Sequence, residues 1–332
     1  MKIEASGHSL TSVVTAPTYT AQGYTTHTCS CGHSYVDSYV DPLPLPTAKV
    51  SVARMILGNE LTMQFAFPQK DIIEGVDYVV AVTKTYSDGK ADKTILVPES
   101  EWKTDGPYYY VSFNGLSAME MGDEIHTQIM TVDGTPVGGV YTDSIRTYAM
   151  RQLRKTTNGP TRTLYVDMLN YGAAAQTYFK YDAENLVTGD LTETEKSYGT
   201  KTLNLVNNRE MGTNYVASQL NLVNSIQLRL LFKNIDSSMY AVVKFTDYIG
   251  RNVEDRVEGS EFINNGTVVV VDQVVAADYG QDVTVTIYDA NGNAVANVVE
   301  SVASYIARMT NGNAIYDAVA KYCAAAYAYL NQ

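Results

Sequence analysis

The chain has 332 residues, 45% of them hydrophobic and 18% charged, and 24 Lys and Arg face 36 Asp and Glu for a formal net charge of −12. That length suits two or three domains of ordinary size, and the acidic sign excludes partners recognised through a cationic face, nucleic acid and anionic lipid first among them. Three cysteines are too few for a disulfide framework, and no apolar run is long enough to cross a bilayer, so the fold must rest on soluble-type hydrophobic cores.

In chain order, residues 1–46 form a first unit, a small Cys/His-bearing β-hairpin segment that ends in the stiff spacer Pro42, Pro44 and Pro46. Its opening residues lack the apolar stretch of a signal peptide. His8, His27, Cys29, Cys31 and His33 lie here, the densest group of metal-capable side chains in the sequence. A structural zinc takes four N or S ligands in a tetrahedron, commonly offered as two pairs. His27, Cys29, Cys31 and His33 are therefore the candidate metal ligands, although the pair is spaced Cys-x-Cys. No cofactor is expected beyond that one structural zinc site.

Residues 47–182 read as a β-sandwich with helices. Short alternating segments, among them Ile125, Thr127, Ile129 and Thr131, are punctuated by Ser87-Asp88-Gly89, Asp105-Gly106-Pro107 and Asp133-Gly134. About seven strands are expected, as in a small sandwich. The period then becomes helical, with Asp143 and Ser144 as cap and Ile145, Tyr148 and Leu153 as one face. Asn158-Gly159-Pro160 breaks that helix and starts a second, with Leu164, Met168, Tyr171, Ala175 and Tyr178 on its apolar stripe. The polar, acidic stretch 183–200 is expected to be a linker, and 201–332 a second sandwich with its own helices.

An internal repeat supports this division. Gly122-Asp123-Glu124-Ile125 matches Gly280-Gln281-Asp282-Val283, and Met63-Gln64-Phe65-Ala66-Phe67 matches Leu228-Arg229-Leu230-Leu231-Phe232. Tyr171-Gly172-Ala173-Ala174-Ala175-Gln176 matches Tyr322-Cys323-Ala324-Ala325-Ala326-Tyr327. The matches keep their order and nearly their spacing. The expected fold is thus mainly β with helices: two tandem antiparallel Ig-like sandwiches, each followed by a helical hairpin, after a small β-hairpin segment. Small Ala residues would let each long helix approach a sheet or its sister helix closely.

Catalytic constellations are hard to assemble from these residues. Of four His, His126 alone lies outside the N-terminal segment, and its repeat counterpart is Thr284. Asp71, Glu74, Asp88 and Asp133 read as turn or exposed-strand acids, and no phosphate-binding Gly-rich loop is present. Asp289-Ala290-Asn291-Gly292-Asn293 begins like a calcium loop but lacks the later acidic ligand, and an Asn-Gly hairpin turn accounts for it. Trp102, with Tyr108, Tyr109 and Tyr110 nearby, is the candidate exposed aromatic cluster for binding a sugar or a protein.

Two stretches carry a resemblance. His8-Ser9-Leu10-Thr11 through Pro17-Thr18-Tyr19-Thr20, followed by Gly23-Tyr24 through His27-Thr28-Cys29-Ser30-Cys31-Gly32, resembles a short β-hairpin repeat of surface proteins from Gram-positive gut bacteria. That repeat carries a Cys before the position of Thr20 and a Cys-x-x-Cys-Gly; here Tyr19 occupies the first place and the pair is one residue closer. Asp167-Met168-Leu169-Asn170-Tyr171-Gly172 resembles a module of the same class of proteins. The resemblance implies an extracellular or cell-surface location and a chain that belongs to a longer protein. The expectation is a non-enzyme that serves display, spacing or adhesion. The alternatives are a carbohydrate-binding accessory module of a glycan-degrading protein, or a binder of host mucin or immunoglobulin. Host glycans or glycoproteins are accordingly the expected partners, with no nucleic acid and no membrane insertion.

Overall fold

A computed structural model describes residues 9–58, 60–197, 205–309 and 313–332. His8, Asn311 and Gly312 lie outside the described residues, as does the end of the stretch expected to link the sandwiches.

The N-terminal segment is a three-stranded antiparallel sheet, Leu10–Thr15, Gly23–Cys29 and Ser34–Val40. Its first strand is exposed at each residue, so little apolar area is buried there.

Two sandwiches follow. In the first, one four-stranded sheet runs Val52–Leu57, Leu61–Pro68, Tyr108–Leu116 and Lys103–Asp105, and the other runs Tyr141–Asp143, Glu124–Thr131, Tyr78–Thr85 and Lys93–Pro98. All pairings are antiparallel. Consecutive strands pair as hairpins and the hairpins alternate between the two sheets of an Ig-like sandwich, so that period-two sequence alternation gives each strand an inner and an outer face. Leu61–Pro68 and Tyr78–Thr85 each bury every second residue, so Met63, Phe65, Phe67, Val80 and Val82 meet Ile125 and Ile129 in one core. The second sandwich repeats the plan with sheets of three and five strands. Leu228, Leu230 and Phe232 of Gln227–Phe232 stand where Met63, Phe65 and Phe67 do, facing Val283, Val285 and Ile287.

Each sandwich leads into a short and a long helix, Ile145–Lys155 with Gly159–Phe179, then Val302–Met309 with Ala314–Leu330. The long helices pack on each other across the two sandwiches. At their contact the repeat-equivalent Tyr171 and Tyr322 stack at 5.5 Å with an interplanar angle of 19°. Ala175 and Ala326, also equivalents, are fully buried, the close approach their small side chains permit. Like residues facing like residues is the pattern of an isologous interface, here within one chain. A cavity of about 20 Å³ beside the tyrosines is bordered by Ala118 and Leu116 from one sandwich and Ala276 and Ile226 from the other. That volume admits about one water molecule.

One expectation is corrected here. The stretch read as a linker is, over its described part, folded back onto the first sandwich. Val187 is fully buried, and Thr188 and Leu191 nearly so. The cause is the aliphatic content of Leu186, Val187 and Leu191, which a polar average conceals.

Candidate functional site

Trp102 is not the exposed aromatic that the sequence suggests. It follows a turn at Glu99–Glu101, is only 9% exposed, and its indole N–H donates to the Val97 carbonyl at 3.1 Å. Phe67 meets it edge-on at 4.9 Å and Tyr109 at 5.5 Å. A ring so buried, packed against Phe67 and Tyr109, is not offered to solvent as a face for a sugar to stack on. Tyr108, Tyr109 and Tyr110 are half-buried, and Tyr110 lies 5.0 Å under the Arg54 guanidinium, itself paired with Asp105 at 2.9 Å. The sole Trp of the chain therefore serves as a probe of this core. Its emission should be blue-shifted and weakly quenched by iodide, moving to the red on unfolding; native emission already at the solvated position would contradict this burial.

The N-terminal Cys/His group is only partly gathered. Cys29 is buried, Cys31 is exposed, and the Cys31 amide donates to the Cys29 sulfur at 3.4 Å. His27 instead stacks on Tyr35 at 4.8 Å, and both its ring nitrogens are engaged. Ser12 Oγ lies 2.8 Å from its Nδ1 and Asp37 Oδ1 lies 2.9 Å from its Nε2. A neutral imidazole protonated at Nε2 satisfies both, donating to Asp37 and accepting from Ser12. The His27 hydrogen bond holds the Asp37 carboxyl below its ordinary range. Among the described residues no group of three or more His, Cys, Asp or Glu is placed to hold a metal ion.

This Ser12–His27–Asp37 row has the connectivity of a hydrolytic triad, which sequence reading did not anticipate. It arises because antiparallel register places Ser12 opposite His27, with Asp37 two residues beyond His27's partner Tyr35. Acyl transfer also needs fixed donors for an oxyanion in a site screened from water. Ser12 stands on a fully exposed strand, so the row reads as a cross-strand polar pin in an apolar-poor sheet.

The most developed polar constellation was also missed. Asp143 and Glu300 end the last strands of their sandwiches, both nearly fully buried. The next residue, Ser144 or Ser301, accepts the first free amide of the following helix, from Thr147 or Ser304, each at 3.0 Å. Two turns on, Arg151 and Arg308 return to those carboxylates with both guanidinium nitrogens. Tyr148 and Tyr305 lie under the guanidinium planes at 5.5 and 5.7 Å, and meet Tyr165 and Tyr316 of the long helices edge-on at 6.0 and 5.9 Å. Each is a latch joining strand, short helix and long helix. Its signal, an acid followed by Ser-x-x-(Ser/Thr)-Tyr-x-x-Arg, occurs in both repeats.

A second buried cluster belongs to the first sandwich. Lys84, 3% exposed, contacts Glu120 at 2.7 Å and Asp123 at 3.5 Å. Burial pushes the Asp123 carboxyl up, against hydrogen bonds from the Tyr181 hydroxyl at 2.6 Å and from Ser87. Tyr181 begins the folded-back stretch, so the cluster fastens it. Elsewhere carboxylates cap their own turns. Asp289 accepts from the amides of Asn291 and Asn293, with Gly292 at positive φ, which is the Asn-Gly turn and not an open calcium loop.

No helix among the described residues is long and apolar enough to cross a membrane. No protein-family model and no curated protein matches the chain. Among solved structures it is similar to the fibronectin domains FN1–FN3 of chicken CNTN1, at 8% identity and a TM-score of 0.22, over 84% of this chain and 75% of that one. It is also similar to dimeric latent PorU from Porphyromonas gingivalis, at 11% identity and a TM-score of 0.19. There the match covers 83% of this chain but 23% of PorU, so the chain spans less than a quarter of that protein. Such scores carry no argument about activity, and the sandwich fold stands on the strand order itself.

Proposed function

We propose that this chain is a non-catalytic spacing and display unit of an extracellular or cell-surface protein, holding two β-sandwiches in a set relation. The observation that carries the reading is the docking of the two long helices through Tyr171, Tyr322 and their buried alanines. Domains joined by polar linkers move independently by default, and a buried apolar contact between equivalent helices opposes that. Charge placement supports it as well, since the buried acids Asp143, Glu300 and Asp123 are paired with Arg151, Arg308 and Lys84.

The test is a binding and turnover panel at physiological salt, with the purified chain immobilised against glycan arrays, mucin and immunoglobulin and incubated with chromogenic ester and glycoside substrates. A blank throughout is expected. A saturable hit would replace spacing with recognition. Turnover lost on Ser12→Ala would make the N-terminal row an active site and overturn the reading.

A further inference from the structure

One buried nucleophile has no part in the spacing role. In strand Tyr78–Thr85 every second residue points inward, and Lys84 takes the inward position after Tyr78, Val80 and Val82. An amine there is costly unless a partner offsets its burial. The second sandwich does without it. Its register sets Lys244 opposite Thr284 where the first sets Thr83 opposite His126, so the inward counterpart of Lys84 is Phe245, and that of Asp123 is Gln281. Phe245 is buried and carries no charge, so the fold by itself does not demand the lysine.

Around Lys84 Nζ the chain gathers two acids, and around one of them a set of donors. Glu120 Oε1 lies 2.7 Å from Nζ, while the Ser117 amide fixes Glu120 Oε2 at 3.0 Å. Asp123 Oδ2 lies 3.5 Å from Nζ, which brings its carboxyl carbon within reach of attack, and it accepts from the Tyr181 hydroxyl at 2.6 Å. Asp123 Oδ1 accepts from the Ser87 amide at 3.1 Å and from the Ser87 hydroxyl at 2.7 Å. The Asp123 side chain is fully enclosed and that of Lys84 nearly so.

We infer that Lys84 and Asp123 condense into an intramolecular amide, a covalent cross-link inside the first sandwich, with Glu120 as the proton carrier. The Nζ lone pair attacks Asp123 Cγ; the Nζ–Cγ bond forms and the Cγ–Oδ2 bond breaks. Charge on the tetrahedral intermediate falls on Oδ1, where the two Ser87 donors already stand. Oδ2 leaves as water, with the Tyr181 hydroxyl donating to it. An ammonium and a carboxylate thus become an amide and one water, and both protons of that water come from Lys84. The first passes to the Asp123 carboxyl, which burial already pushes toward its neutral form. Glu120 takes the second from the nitrogen and returns it to the departing oxygen. No oxidant or cofactor is consumed. The reaction removes two charges from a site closed to water, a gain that offsets the cost of making the amide. The link closes a loop of chain that holds Lys93–Pro98, Lys103–Asp105 and Tyr108–Leu116.

Mass spectrometry of the denatured full chain tests this. The purified protein should be lighter than its sequence by one water, and trypsin should leave Lys84 uncut within a branched peptide that also holds Asp123. Lys84→Arg and Glu120→Gln should each return to the full sequence mass while keeping native circular dichroism. Glu120→Gln is the sharper variant, because both bonding partners remain and a merely structural Glu120 would leave the cross-link in place. Should either variant fail to fold, the branched peptide of the parent chain decides alone. A parent chain at its full mass overturns the proposal. So does a water lost within a linear peptide instead, at the turns Asp88-Gly89, Asp105-Gly106 or Asp133-Gly134.

Discussion

Arg308→Ala is expected to destabilise the second sandwich by about 3–5 kcal/mol, the cost of leaving a buried charge without its partner. The Glu300 side chain is fully enclosed and Arg308 only 16% exposed, so water cannot replace the lost guanidinium. Ser218 and the Ser301 amide donate to the same carboxylate at 2.8 and 3.2 Å, and two neutral donors do not balance a full charge. Glu300→Gln combined with Arg308→Met should regain much of the loss, since replacing both partners removes the buried charge. Urea unfolding followed by circular dichroism reads both the loss and its recovery. An Arg308→Ala midpoint unchanged at neutral pH would show that the latch contributes nothing.

Much of this architecture was legible because the physics that sets it is local. Period-two burial of Met63, Phe65 and Phe67 and the turn glycines need no tertiary information. The repeat then doubled each observation. What was not legible depends on register or on a few residues in a polar context. Trp102 follows an acidic turn, Glu99–Glu101, and looks solvated until the sheet folds over it. Val187 sits in a stretch whose average is acidic, yet it is fully buried against Gly122 and Gly172. The Ser12–His27–Asp37 row exists only once three strands are aligned. The Arg latch differs from these, for its pattern was present twice in the sequence. It would have emerged from carrying the repeat comparison through Asp143–Arg151 and Glu300–Arg308.

The contact between the long helices should be as sensitive as the latch. Tyr322→Ala removes a ring that is only 3% exposed and stacked on Tyr171, and truncation of a buried aromatic costs about 3–5 kcal/mol. Part of that loss falls on the second sandwich's own core, and part on the union of the two. Two probes separate them. Trp102 reports on the first sandwich alone, whereas far-UV circular dichroism reports on both. In the parent chain the two transitions should coincide, because each long helix is completed by the other. In Tyr322→Ala the dichroic transition should begin earlier, while Trp102 keeps most of its midpoint. Spin labels at Lys93 and Asn252, both exposed, would then read geometry directly. With Cys29 and Cys31 changed to serine, Cys323 can remain, since burial both hides its thiol and raises its pKa. A narrow distance distribution should broaden in the variant under native conditions. Equal widths would mean that the tyrosine stack does not hold the sandwiches in relation, and the spacing function would lose the contact on which it depends.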